Sequence, residues 1–446
     1  MTSQITGASA RNSSNKGVVV AGRSVEASLK LRWLYLLPAV FVTYSLAYLD
    51  RANYGFGAAA GLAATLHITE QDTAILGGLF FLGYFAFQIS GAAVARKYSV
   101  RRVVFATLVA WGVLAAVMGV IRQFWLLALD RFLLGVAESL IFPVMLHLLT
   151  RWFTRAERSR ANAILLLGNP VTVLWMSAIT GYLIQRYGWQ MTFIIEGLPS
   201  VPWAVVWILF VRDRPCEARW ITRDAAKLLE VRLTQEQAGI APVGAVRNAL
   251  LRGDVLLLSV QYFCWSLGVY GFVLWLPTIV HRGATMSMAQ TGLLSALPYL
   301  AAILLMLFVS HISDKTQKRR SLVWPFLLTS GIALAASFFF SQKNFTLTFL
   351  ALVIGGGCMY APYGPFFAII PERVARNVTA EVFALINSCG ALGGFFGSYL
   401  VGLLQAITGN ARAGYLLMSV SLISSAILLM FLPDSPDGTT QAVVEM

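Results

Sequence analysis

Charge is scarce in this sequence. Asp, Glu, Lys and Arg together make 12% of its 446 residues, about half the share usual in a soluble domain. Hydrophobic residues make 58%, and the mean hydropathy is +0.71. So little polar surface cannot cover a water-soluble globule. Cysteine and histidine are scarce too, with four of each. Cys216, Cys264, Cys358 and Cys389 are scattered at spacings that suit neither a zinc site nor a disulfide framework, and they read as packing residues. The histidines are dispersed, no phosphate-binding loop is present, and no nucleophile has a matching base. These absences speak against an enzyme and against a bound metal or organic cofactor. Acidic residues are outnumbered, 20 Asp and Glu against 34 Lys and Arg, for a net charge of +14.

Long apolar runs fill the space that charge leaves. About 20 apolar residues cross a bilayer as a helix. Such runs lie at 33–56, 73–95, 101–121, 125–149, 161–184, 190–211, 254–280, 289–311, 321–340, 345–368, 379–405 and 412–432. They predict an all-α membrane protein with twelve transmembrane helices, numbered here as spans 1 to 12. Residues 1–30 are polar and small, VVVAG within them is too short for a signal-peptide core, and no cleavage pattern precedes span 1. They read as a disordered cytosolic arm, and 433–446 as a cytosolic tail. If the spans alternate from a cytosolic N-terminus, 27 Lys and Arg fall in cytosolic segments and five in outer loops, with Arg51 and Arg131 left inside spans. That bias is the positive-inside rule, which puts both termini in the cytosol. The basic excess therefore reflects topology in an inner (plasma) membrane and gives no evidence for nucleic acid. The expected surroundings are the lipid bilayer, and the expected state is a monomer.

The chain divides into two halves. Residues 212–253 form the one long hydrophilic stretch between spans and read as a cytosolic linker. It separates a bundle at 31–211 from a second at 254–432, six spans each. GAAVARKYSVRR (91–102) follows span 2, and SHISDKTQKRR (310–320) follows span 8. A charged loop at one place in each half marks a duplicated transporter. In the second copy Asp314, Lys315 and Arg319 read as a latch between helix ends; in the first, Ala95 stands where an acid would match Asp314.

Four residues carry the chemistry: Asp50, Arg51, Arg131 and Glu138. Asp50 and Arg51 lie about 26 Å along span 1, and Arg131 lies roughly 9 Å into span 4 from its outer end. The two arginines thus reach similar depth from opposite directions. Glu138, two turns beyond Arg131, shares its face of span 4. Each such charge costs about 3 kcal/mol at mid-membrane, so all four need a polar cavity or one another. One reading is a pair of structural ion pairs. The other is an anion site of Arg51 and Arg131 beside the proton-carrying carboxylates Asp50 and Glu138, because a guanidinium fork matches a carboxylate. Tyr48, Tyr84, Gln88, Asn169, Tyr363 and Asn387 are further candidates to bind substrate. Gly393 and Gly394 in span 11 allow close helix approach, and Gly355 to Gly357 with Pro362 make span 10 bendable.

YLDRANYGF (48–56), RFLLGVAES (131–139), FIIEGLPS (193–200) and ALINSCGALGGFFGSYLVG (384–402), in that order, resemble the anion:cation symporter family of the major facilitator superfamily. ILLLGNPVTVLWMS (164–177), YGFVLWLP (270–277) and MYAPYGPFFAIIPE (359–372) look most like its 2-ketogluconate and sugar-acid branch. The resemblance covers nearly all twelve spans. It implies the major facilitator fold, two six-helix pseudo-symmetric bundles rocking about a central site. It also implies proton-coupled import of a small carboxylate, a sugar acid, with the proton as coupling ion. An exchanger or uniporter without proton coupling, and a substrate sensor, remain as alternatives.

Overall fold

Glycine and proline decide where these apolar helices turn. The computed structural model describes the backbone of residues 5–238, 246–284, 286–316, 318–341, 344–374, 378–409 and 413–432. Among them every regular element is a helix. Span 1 is Ile5–Ala59, span 2 Glu70–Lys97 and span 3 Val100–Met118. Span 4 comprises Phe124–Ser139 and Ile141–Trp152. Spans 5 and 6 share Arg155–Gly197 and Ser200–Phe210, and the chain reverses at Gly188, whose φ of 80° disfavours any side chain. Spans 7, 8 and 9 are Gly253–Ala284, Met288–Thr316 and Arg319–Phe340. Span 10 comprises Phe345–Tyr360 and Tyr363–Arg373, broken beside Pro362 where the sequence predicts a bend. Spans 11 and 12 are Thr379–Thr408 and Ala413–Met430. The twelve expected helices are therefore present. Large apolar side chains such as Trp125, Leu304, Phe308 and Phe339 stand exposed on them, as a lipid-facing surface requires.

The start of span 1 differs from the expected disordered arm over 1–30. The backbone is helical from Ile5, and Ser28, Leu29 and Arg32 are buried. Ser28 Oγ accepts a hydrogen bond from the Thr222 amide at 2.9 Å, and Arg32 pairs with Glu157 at 2.5 Å while donating to the Trp152 carbonyl. The linker holds its own helix, Arg223–Ala238, which buries Ala225, Ala226 and Leu229 against the start of span 1. Trp220 stacks between Tyr35 and Trp152. These partners are distant in sequence, which is why polarity alone suggested disorder. The tail expected at 433–446 lies outside the described residues.

Within the first bundle span 2 packs on span 4, and span 3 on span 6; within the second, span 7 packs on span 11 and span 9 on span 12. The bundles meet through spans 1 and 7, 2 and 11, and 5 and 8. They touch at the end opposite the linker. There Gly181 of span 5 faces Gly292 of span 8 so closely that a Cβ on either would strike backbone. Gln185 Oε1 accepts from the Ala289 amide at 3.0 Å, and Arg282 pairs with Glu70 at 2.5 Å. Toward the linker end, among the described residues, Ser388 Oγ donates to Gln88 Oε1 at 3.4 Å.

Candidate functional site

Between the bundles lies a cavity of about 510 Å³ of atom-free space, its mouth included. Arg51, Tyr84 and Asn169 line it from the first bundle, and Tyr363 and Asn387 from the second. These five are among the candidates named from the sequence.

Arg51 is 5% exposed, and its desolvation is offset on several sides. Its Nε donates to Glu138 Oε2 at 2.8 Å. Its guanidinium lies 4.6 Å from the Tyr84 ring, 5.3 Å from Phe80 and 5.6 Å from Tyr48. Helical spacing puts Tyr48 one turn from Arg51, and span 2 packed on span 4 brings Tyr84 and Phe80 beside Glu138. Cation–π contacts of this kind are worth roughly 2 kcal/mol each when desolvated.

Asp50 is rotated about 100° from Arg51 on the same helix. It is 1% exposed, and neither carboxylate oxygen has a hydrogen-bond partner. It feels the positive charge of Arg131 and Arg51 and the negative charge of Glu138 and Glu196. Glu138 Oε1 likewise lacks a donor.

Both guanidiniums lie over the Phe80 ring, at 5.2 and 5.3 Å, but Arg131 reaches Leu76 and Arg51 reaches Tyr84, two turns further along span 2, so they stand at different levels. Arg131 does not line the cavity. Its guanidinium sits 4.4 Å over Tyr54, Nε donates to the Leu76 carbonyl at 3.2 Å, and Nη1 has no acceptor. The expected two-guanidinium site is therefore divided by an aromatic ring. Residue counting along a helix could not reveal the side chain that lies between the two guanidiniums.

The other candidates separate. Tyr48 lies below Arg51, its hydroxyl 3.4 Å from that of Tyr360. Gln88 joins the bundles through Ser388 and is not a lining residue. Gly394 is where a Cβ would come within 2.7 Å of the Phe81 ring across the bundle interface, whereas Gly393 abuts the Phe263 carbonyl of its own bundle. Lys315 is exposed, and Arg319 Nη1 reaches Ser313 Oγ at 3.5 Å. The side chain of Asp314 lies outside the described residues.

Several residues were missed. Asp130 is buried beside Arg131, with one oxygen unpartnered. The signal was available: 130–131 repeats the Asp-Arg dipeptide of 50–51. Glu196 accepts from Thr180 at 2.5 Å and Asn53 at 3.2 Å, tying spans 1, 5 and 6. Tyr262, Ser266 and Tyr270 line the cavity from span 7. Their spacing of four and four marks one helix face. Among the described residues, every fully buried Asp, Glu, Lys or Arg lies in the first bundle.

Residues 40–398 match the family model described as the Major Facilitator Superfamily. A quinolone resistance transporter of Acinetobacter baumannii is 31% identical over 88% of this chain and 92% of its own length. A putative tartrate transporter of Agrobacterium vitis is 29% identical over 90% of each chain. A solved bacterial homolog of the human lysosomal transporter Spinster, inward-facing and unoccupied, superposes with a TM-score of 0.69 at 17% identity, over 89% of this chain and 95% of that one.

Proposed function

We propose a function from one established premise: the chain belongs to the Major Facilitator Superfamily, and is a multi-pass membrane transporter rather than an enzyme. The proposal is proton-coupled import of a small organic anion of the sugar-acid class, such as 2-ketogluconate or an aldonate, by alternating access. The charge bias of the loops supports an inner-membrane setting with both termini in the cytosol.

One observation carries the reading. Arg51 faces the central cavity while held by a single carboxylate, that of Glu138. A substrate carboxylate entering the cavity competes with Glu138 for the guanidinium fork. Glu138, once displaced, is a buried anion with no donor, and a proton removes that cost. Substrate and proton then load together, which is symport. Asp50, with two unpartnered oxygens, is the second proton carrier. The rest of the lining suits a hydroxylated chain. Asn169, a lining residue, leaves its Oδ1 without a hydrogen-bond partner, ready for a substrate hydroxyl. The tartrate relative, named for a hydroxylated dicarboxylic acid, supports a hydroxylated organic anion but not the number of its carboxylates.

The test is uptake of labelled gluconate or 2-ketogluconate into proteoliposomes under an imposed proton gradient. Accumulation should follow the gradient, and glucose should compete weakly. Uptake indifferent to the gradient would sink the coupling; equal competition by glucose would sink the anion site. A second reading has one specific observation behind it. Tyr44, Phe81, Phe142, Tyr262 and Phe367 also line the cavity, and one relative is named for quinolone resistance. That reading is carriage of a ring-bearing carboxylate, and stronger competition by a quinolone than by gluconate would favour it.

A further inference from the structure

We propose that Phe80 is a specificity-determining partition that keeps the second guanidinium away from substrate and so makes the site select one carboxylate over two. The proposal rests on the reading of Arg51 as the carboxylate anchor. Two buried arginines flank one ring, and a dicarboxylate would profit from both. The ring of Phe80, itself fully buried, stands between them, 5.3 Å from the Arg51 guanidinium and 5.2 Å from that of Arg131. On the Arg51 side lie Phe81 and Tyr84, which line the cavity. Beyond the ring, Tyr54 covers Arg131, and Nη1 of Arg131 is left without an acceptor. A free guanidinium nitrogen on one side of a ring, with a cavity on the other, is a binding capacity the site holds but does not present.

The partition is fixed in place. A Cβ on Gly135 of span 4 would strike the Phe80 carbonyl, so the span 2 backbone lies directly on span 4 there. Phe81 meets the Phe80 ring edge-on, with centroids 5.2 Å apart and planes at 90°. The ring has little room to swing aside, and removing it is the direct way to join the two guanidiniums.

The experiment has two readouts on purified protein: wild type, Phe80→Ala, and the milder Phe80→Leu, which keeps bulk but narrows the screen. The first readout is phenylglyoxal labelling of arginine, mapped by mass spectrometry, which needs no transport. In wild type Arg51 should label and Arg131 should not; in Phe80→Ala, Arg131 should become labelled, with Phe80→Leu between. The second is competition by gluconate and glucarate, acids of equal chain length with one and two carboxylates. Wild type should prefer gluconate, and the preference should shrink about tenfold in Phe80→Ala, the worth of a new charge-assisted hydrogen bond. Adding Arg131→Gln to Phe80→Ala should restore the preference. Equal labelling of both arginines in wild type would overturn the partition. So would Arg131 remaining unlabelled in a monodisperse Phe80→Leu or Phe80→Ala protein. If wild type bound no hydroxy acid at all, the substrate class would fail, while the labelling ratio would still decide the partition.

Discussion

Arg51 and Arg131 are the same residue type beside the same ring, yet their surroundings assign them different work. Arg51 borders the cavity and holds Glu138. Arg131 lies behind Phe80, against Tyr54, and its charge acts on Asp50. Lysine keeps the charge and loses the fork. We predict that Arg51→Lys weakens substrate binding by about tenfold or more, the loss of a charge-assisted hydrogen bond. Arg131→Lys should leave binding within about threefold, a fraction of a kcal/mol, and lower the transport rate instead. Thermal-shift titration with gluconate, alongside initial uptake rates, separates the two. Equal loss of affinity in both variants would return Arg131 to the substrate site. The four charges were legible in the sequence because a charge within an apolar run is conspicuous. The partition between them was not, since Phe80 is one of 28 phenylalanines and nothing in its own neighbourhood marks it.

At the level of helices, the bundles are clasped at the end away from the linker by small residues. Gly181 and Gly292 let spans 5 and 8 touch backbone to backbone, and Gly402 of span 11 meets Ala74 of span 2. Alternating access requires this clasp to open. Gly292→Val places a branched side chain where even a methyl has no room. We predict that it holds the far end open. The measure is a reporter: Ala74→Cys, buried at 3% exposure in the clasp, reacts slowly with a membrane-impermeant maleimide and should react faster once Gly292→Val is added. An unchanged rate would mean that the clasp does not depend on the glycine pair. Sequence periodicity found the spans, but not the packed start of span 1. Ser28 and Arg32 are held by Thr222, Glu157 and Trp152, which are far away along the chain. The division of span 4 at Leu140 was equally hidden, because both pieces are apolar.

For the whole molecule, the asymmetry between the bundles sets the logic of coupling. The buried carboxylates Asp50, Asp130, Glu138 and Glu196 and the guanidiniums of Arg51 and Arg131 all belong to the first bundle. The second bundle faces them with Tyr262, Tyr270, Tyr363 and Asn387. In that division the first bundle holds substrate and proton, and the second moves over them. Coupling then depends on how the first bundle resets after release. In wild type the empty carrier returns with Arg51 again held by Glu138, so the proton must leave before the return. Glu138→Gln keeps the shape and cannot ionise. We predict that this variant still binds substrate and still exchanges labelled for unlabelled substrate, because exchange never requires the empty carrier to return. It should fail to concentrate substrate under a proton gradient. Asp50→Asn should show the same division less cleanly, since its neighbour Arg51 anchors the anion. Counterflow and gradient-driven uptake in the same proteoliposomes make the comparison internal. Wild-type accumulation by both variants would show that neither carboxylate is an indispensable proton carrier. Loss of counterflow together with binding would place Glu138 in the substrate site itself, where its hydrogen bond to Arg51 would be part of the anion's own coordination rather than the contact the anion displaces.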